Sequence, residues 1–135
     1  MKDKFIEKKK NYLGLDWGKT KVGVAFADAE TKMAFAYETL KNDKHFLRKL
    51  TEIVVDKKVG TIIIGIPDYF DKENERRIKE FGEIVANKLK VKVFFQNEMF
   101  STKIAERNLI EKGTKKIKNF DDAEAARIIL ESWLM

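Results

Sequence analysis

Three carboxylates, Asp16, Glu98 and Asp122, each stand at the end of an element that the hydrophobic pattern predicts. Asp16 closes the first strand on a side otherwise made of Gly and Ala. A carboxylate there must be hydrogen-bonded, protonated or bound to a cation. Glu98 directly follows the fifth strand, and ligand-binding groups collect at the carboxyl ends of parallel strands. By itself it also reads as an exposed loop glutamate. Asp122 follows Asp121, which pairs with Glu124 in a capping-box pattern. That pattern gives the capping role to Asp121 and puts Asp122 at the head of the Ala126, Ile129 and Trp133 stripe. Two structural readings stay open: a turn role for Asp16 in the Trp17–Thr20 loop, and Asp122 as the true N-cap.

Carboxylates converging without a cation repel, and at least one would hold a proton. A divalent ion removes the conflict. Mg²⁺ typically takes one or two carboxylates and completes its shell with water and phosphate oxygens. Two such ions about 4 Å apart can activate a water and stabilise the leaving oxygen of a phosphodiester. The one histidine, His45, falls on the first predicted helix and reads as a surface residue; there is no cysteine. Clustered acids without a positioned histidine or cysteine point to metal-assisted phosphoryl chemistry.

Basic residues offer a substrate side. Lys19 and Lys21 flank the turn after Asp16. Lys112, Lys115, Lys116 and Lys118 lie in the loop leading to Asp122, and Arg76, Arg77 and Lys79 open the second helix. Such clusters are often solvated faces. Two of the three adjoin predicted carboxylate positions, which favours phosphate contacts for Lys19, Lys21, Lys115, Lys116 and Lys118, with Arg77 as a further candidate.

Elements that could position these groups follow from periodicity. Residues 12–17, 22–28 and 33–38 alternate with period two across polar turns, as an antiparallel meander does. Leu13, Leu15, Val22, Val24, Phe26, Met33, Phe35 and Tyr37 share one parity. Gly14, Asp16, Gly23, Ala25, Ala27, Ala34 and Ala36 share the other, a flat face that a helix could approach closely. A helical stripe through Phe46, Leu47, Leu50, Ile53 and Val54 follows, with Asn42 or Asp43 as N-cap. Residues 61–66 form a continuous apolar run, as a buried parallel strand does. Helices are expected over 72–90, 101–112 and about 121–134, the 101–112 helix stopping at Gly113, and a fifth strand over 91–96. Hairpins followed by crossovers give an α/β fold: a five-stranded mixed sheet, a three-strand meander plus two parallel strands, with helices on both faces.

The chain has 135 residues, 44% of them hydrophobic, and a net charge of +6. That length suits one domain, residues 12–135, preceded by a basic arm over residues 1–11. The composition excludes a mainly disordered protein and a disulfide scaffold, and no apolar run is long enough to span a bilayer. A cytoplasmic protein with no membrane partner is expected. Excess positive charge favours polyanionic partners.

Leu13-Gly14-Leu15-Asp16-Trp17-Gly18-Lys19-Thr20-Lys21-Val22-Gly23-Val24-Ala25 resembles the first-strand motif of the YqgF family, Holliday-junction-resolvase-like proteins named for pre-16S rRNA cleavage. Ile64-Gly65-Ile66-Pro67 looks like that family's Gly-hydrophobic-Pro segment. Asn97-Glu98-Met99-Phe100-Ser101-Thr102 is similar to its Asp-Glu-Arg-Leu-Ser/Thr-Thr motif. Asp122 through Ser132 resembles its final Asp-bearing helix. Asn97 and Met99 stand where the family usually has Asp and Arg, and Lys19-Thr20 inverts its usual Thr-Lys.

The resemblance implies an RNase H-like fold, a role in 5′ maturation of 16S rRNA during ribosome biogenesis, and dependence on Mg²⁺ or Mn²⁺. Carried across by position, Asp16, Glu98 and Asp122 are the catalytic and metal-binding acids. Pre-16S rRNA is then the expected partner, with branched DNA and a homodimer left open. Two other readings remain: resolution of four-way DNA, and a non-catalytic RNA-binding or transcription-associated module with a decayed site. A phosphate-binding strand-turn of the actin or Hsp70 kind needs two such lobes, and this length supplies one.

Overall fold

Alternating bulky and small side chains along the first three strands build a sheet with two unlike faces. The computed structural model describes residues 10–67, 71–97 and 121–135. Within them the chain runs β1 (Asn11–Trp17), β2 (Lys21–Ala27), β3 (Ala34–Lys41), α1 (Phe46–Asp56), β4 (Val59–Ile66), α2 (Lys72–Leu89), β5 (Lys92–Asn97) and α3 (Asp122–Leu134). The helix expected over 101–112 lies outside the described residues. β1 takes in Asn11, one residue earlier than the pattern places it. The Asn11 side chain is a junction there: it donates to the Lys57 carbonyl at 2.8 Å and accepts from the Ala29 N–H at 2.9 Å.

The strands lie in the order β3-β2-β1-β4-β5. The first three pair antiparallel, and β4 pairs parallel with both β1 and β5. This is the mixed sheet that hairpins followed by crossovers require. Leu13, Leu15, Val22, Val24, Ile62 and Ile64 are fully buried on one face, under Phe46, Leu50, Ile53 and Val54 of α1 and Ile78 and Val85 of α2. The flat face carries Ala25, Ala27 and Ile63 against Ala126, Ile129 and Leu130 of α3. The unbroken apolar run of β4 therefore feeds both cores, Ile62 and Ile64 one way and Ile63 the other.

Local signals place the helix ends. α2 starts at Asp71, whose carboxylate accepts from the Asn74 N–H at 3.0 Å, and ends at Lys90, which takes the left-handed conformation with φ 58°. α1 departs from expectation. Its N-cap is His45 rather than Asn42 or Asp43, and the His45 side chain makes no capping hydrogen bond. Asp43 instead folds a turn just ahead of the helix, accepting from the His45 N–H at 2.9 Å, and that bond lowers its carboxyl pKa. Asn42 braces the opposite end of the meander: its side chain donates to the Gly18 carbonyl at 2.6 Å, and its own N–H reaches the Thr20 carbonyl at 2.9 Å.

The bulky parity of β3 also departs from expectation. Met33, Phe35 and Tyr37 are 58%, 55% and 42% exposed rather than buried. α1 packs against β4, and α2 against β4 and β5, so on this face the outer strand β3 projects beyond the two helices, while α3 covers its other face. An irregularity between Val24 and Ala25 also shifts the pairing of β2 with β3. The Lys57 ammonium stands over the face of Tyr37, 5.6 Å from the ring centre. Among the described residues no helix is long and apolar enough to cross a membrane.

Candidate functional site

One edge of the sheet gathers the ends that matter. β1, β4 and β5 all finish there, and the turn from β1 into β2 crosses it. Asp16, half-buried, is the penultimate residue of β1 and pairs across the ladder with Gly23. Directly opposed residues of an antiparallel pair project to the same face. Asp16 therefore rises from the flat face, beside a residue with no side chain.

α3 is laid over that gap. A Cβ on Gly23 would fall on the Asp122 carbonyl group and only 2.8 Å from the Ala123 nitrogen. Farther along, a Cβ on Gly14 would come within 2.7 Å of Leu130 Cβ and 2.8 Å of the Ala126 carbonyl oxygen. Both glycines are required for the close approach of helix and sheet. The flat face read from the sequence is thus the seat of the helix that bears Asp122. Asp122 is half-buried at its first turn.

Capping separates the neighbouring aspartates as the pattern predicts. Asp121 is the N-cap, extended at φ −101° and ψ 177°, and its carboxylate accepts from the Glu124 N–H at 2.8 Å. Helical spacing puts Asp122 on the stripe of buried Ala126 and Ile129 and half-buried Trp133. On the solvent side Arg127 bridges Glu124 and Glu131, at 2.6 and 3.0 Å. The hydrogen bond it donates to Glu124 is the main cause raising the Arg127 pKa, with burial opposing it.

The remaining expected site residues divide. Lys19 and Lys21 are exposed at the same edge as Asp16, on a turn closed by the Gly18 N–H to the Lys21 carbonyl at 2.9 Å and braced by Asn42. Arg77 lies on α2, against the opposite face of the sheet from α3, exposed and 3.6 Å from Glu73. Arg76 and Lys79 likewise pair with acids of their own helix. Glu98, Lys112, Lys115, Lys116 and Lys118 lie outside the described residues. β5 delivers the chain to this edge at Asn97, the residue before Glu98. Sequence reasoning missed the brace from Asn42, because its partners stand more than twenty positions away and leave no local pattern.

Asp16 and Asp122 supply hard oxygen donors of the kind that Mg²⁺ and Mn²⁺ prefer. Among the described residues no group of three metal-ligating side chains forms. Glu98, the third acid expected from the sequence, follows the last residue of β5 and lies outside the described residues. Two acids beside the exposed Lys19 and Lys21 would suit a cation shared with phosphate oxygens.

Residues 10–135 match the family model described as "RuvX: Holliday junction resolvase". A protein of Orientia tsutsugamushi (strain Ikeda) named "Putative pre-16S rRNA nuclease" is 37% identical over 133 residues, covering 93% of this chain and 84% of that protein. One of the same name from Maridesulfovibrio salexigens is 33% identical over 130 residues, covering 90% and 96%. Among solved structures, RuvC of T. thermophilus in complex with a Holliday junction substrate superposes with a TM-score of 0.61 at 13% identity, covering 92% of this chain and 93% of that one. The fowlpox virus resolvase, in complex with Holliday junction DNA, gives 0.53 at 17% identity, covering 92% and 96%. The fold is that of the RuvC-like resolvases, the RNase H-like fold.

Proposed function

This chain belongs to the RuvX family, and from that membership we propose that it is a nuclease, a hydrolase of phosphodiester bonds that acts on structured nucleic acid with divalent metal. The observation that carries this reading is the seating of α3: the backbone of Asp122 rests on Gly23, the cross-strand partner of Asp16. That seat brings the start of α3 to the strand end that carries Asp16, and β5 ends at Asn97, the residue before Glu98. Asp16, Glu98 and Asp122 would hold Mg²⁺ or Mn²⁺. Bound metal would activate water and offset charge on the leaving oxygen.

The protein's own groups do the rest. Rigid elements carry the acids: Asp16 on a strand flanked on both sides, Asp122 on a capped helix. Such anchoring limits the reorganisation needed when charge develops. Lys19 and Lys21, on the braced turn, would hold backbone phosphates beside the acids. That positioning is indifferent to base identity, so selection would rest on the shape of the substrate.

Relatives at 30–37% identity bear the pre-16S rRNA name, which favours the precursor of 16S rRNA as substrate and 5′ processing during ribosome assembly as the role. Cleavage of four-way DNA is the second reading, supported by the family description and by the junctions in the superposed structures. A cytoplasmic location follows from that role. The test is cleavage of a pre-16S fragment and of a Holliday junction by the wild type and Asp16→Asn, each with and without Mn²⁺. Mn²⁺-dependent cutting of the RNA by the wild type alone is expected. Cutting of the junction alone would pass the function to the second reading, and equal cutting by both proteins would remove Asp16 from the site.

A further inference from the structure

We propose that Gly23 is a positioning residue: the absence of its side chain sets how near Asp122 comes to Asp16. The inference rests on the metal-site reading above and adds to it a residue that need touch neither metal nor substrate. Gly23 and Asp16 are register partners, so a Cβ on Gly23 would rise from the same face next to the Asp16 side chain. That space is taken by the Asp122 carbonyl and the Ala123 nitrogen. Both are main-chain atoms, so no rotamer change can make room. The helix start itself would have to lift, on the order of 1–2 Å before ordinary contact is restored.

Gly14 provides the comparison. It lies on the same face beneath the same helix, with clashes of 2.7 and 2.8 Å. Its obstacles are Leu130 and Ala126, one to two turns beyond Asp122. A Cβ there stresses the far part of α3 and leaves its first turn on Gly23. Two glycines therefore seat the helix, and one of them also sets the spacing of the acids.

The experiment is calorimetric Mn²⁺ titration of the folded wild type, Gly23→Ala, Gly14→Ala, Asp122→Glu and the Gly23→Ala/Asp122→Glu double variant, with Asp16→Asn as the site control. Gly23→Ala is expected to weaken Mn²⁺ binding about tenfold or more, the range seen when groups that orient a ligand are changed. Gly14→Ala should stay within about twofold of the wild type, although both lose stability. Asp122→Glu alone should also weaken binding, because the extra methylene overshoots a tightly seated helix. Combined with Gly23→Ala it should recover part of the loss, because the longer side chain spans the lifted gap; this is a non-additive cycle that a purely structural role would not give.

Equal losses in the two glycine variants, or additive losses in the double variant, overturn the proposal. Asp122→Glu leaves the helix seat intact, so it decides the matter even where Gly23→Ala does not fold: unchanged affinity overturns it. A wild type that binds no Mn²⁺ removes both the site reading and this inference. Loss in Asp16→Asn with full binding in Gly23→Ala removes the positioning role alone.

Discussion

The side-chain amide of Gln96 donates to the Ser132 hydroxyl at 2.9 Å, a part-buried bond between residues 36 positions apart. It ties the end of β5, two residues before Glu98, to α3, the helix that begins with Asp122. The two elements are held in register by this polar contact as well as by the ring of Phe94 against Trp133, 5.4 Å between centres. Ser132→Ala should lower stability by about 1 kcal/mol, the net worth of a bond whose other partner stays half-buried. Replacing both residues, Gln96→Leu with Ser132→Ala, should recover much of that. Urea midpoints of the three variants check it, and a midpoint unmoved by Ser132→Ala would leave the bond without energetic weight.

The neighbouring aspartates at the start of α3 should separate by effect. Asp121→Ala removes the acceptor for the Glu124 N–H and should cost on the order of 1 kcal/mol. Most metal-dependent cleavage should survive. Asp122→Asn should change metal-free stability little, or raise it by relieving repulsion with Asp16, while nearly abolishing cleavage. Urea melts without metal and cleavage rates with Mn²⁺ decide between them; the opposite pattern would move the catalytic role to Asp121.

Mass action gives a second measure of the metal site. A ligand that binds only the folded state stabilises it as its concentration rises above the dissociation constant. Mn²⁺ should raise the melting temperature of the wild type and not that of Asp16→Asn, whose fold should persist. Equal rises in both proteins would sink a site that includes Asp16.

Salt dependence reads the basic rim. For every lysine that neutralises a backbone phosphate, its removal should flatten the slope of log affinity against log salt by about one unit. Changing Lys19 and Lys21 together to Gln should take away about two units with the RNA precursor. The triple change of Lys115, Lys116 and Lys118 should act in the same direction. An unchanged slope in either variant would return that cluster to a solvated surface.

A different outcome is expected at Arg77. Its helix covers the sheet face opposite α3, and Glu73 stands 3.6 Å from its guanidinium. To reach the same stretch of substrate, it would need the nucleic acid to wrap around the sheet edge. Arg77→Gln therefore separates a wrapped substrate from one held at the Asp16 edge. A slope reduced by about one unit marks wrapping, and an unchanged slope marks an exposed intrahelical ion pair.

Much of this protein was legible in the chain because its signals are local. Alternation along β1 and β2 reports which side chains are buried together, since successive residues of a strand must face opposite ways. The apolar run of β4, with both faces covered, and the Asp121–Glu124 cap were equally open to reading. The parity of β3 misled for a reason that alternation cannot carry. Period two says that Met33, Phe35 and Tyr37 share a face, and only the placement of α1 and α2 over the inner strands leaves that face bare.

The acids show the same division. Sequence determined that Asp16 ends a strand on a flat, small-residue face and that Asp122 heads a helix with its cap already supplied. Whether those two ends meet depends on where α3 lies, and more than a hundred residues separate them. Gly23 and Gly14 permit a close helix at many angles. The tertiary structure chose one, because burying Ala126, Ile129 and Leu130 against Ala25, Ala27 and Ile63 brings the first turn of α3 down on the partner of Asp16. Close packing across the sheet, a property of no single segment, decided that contact.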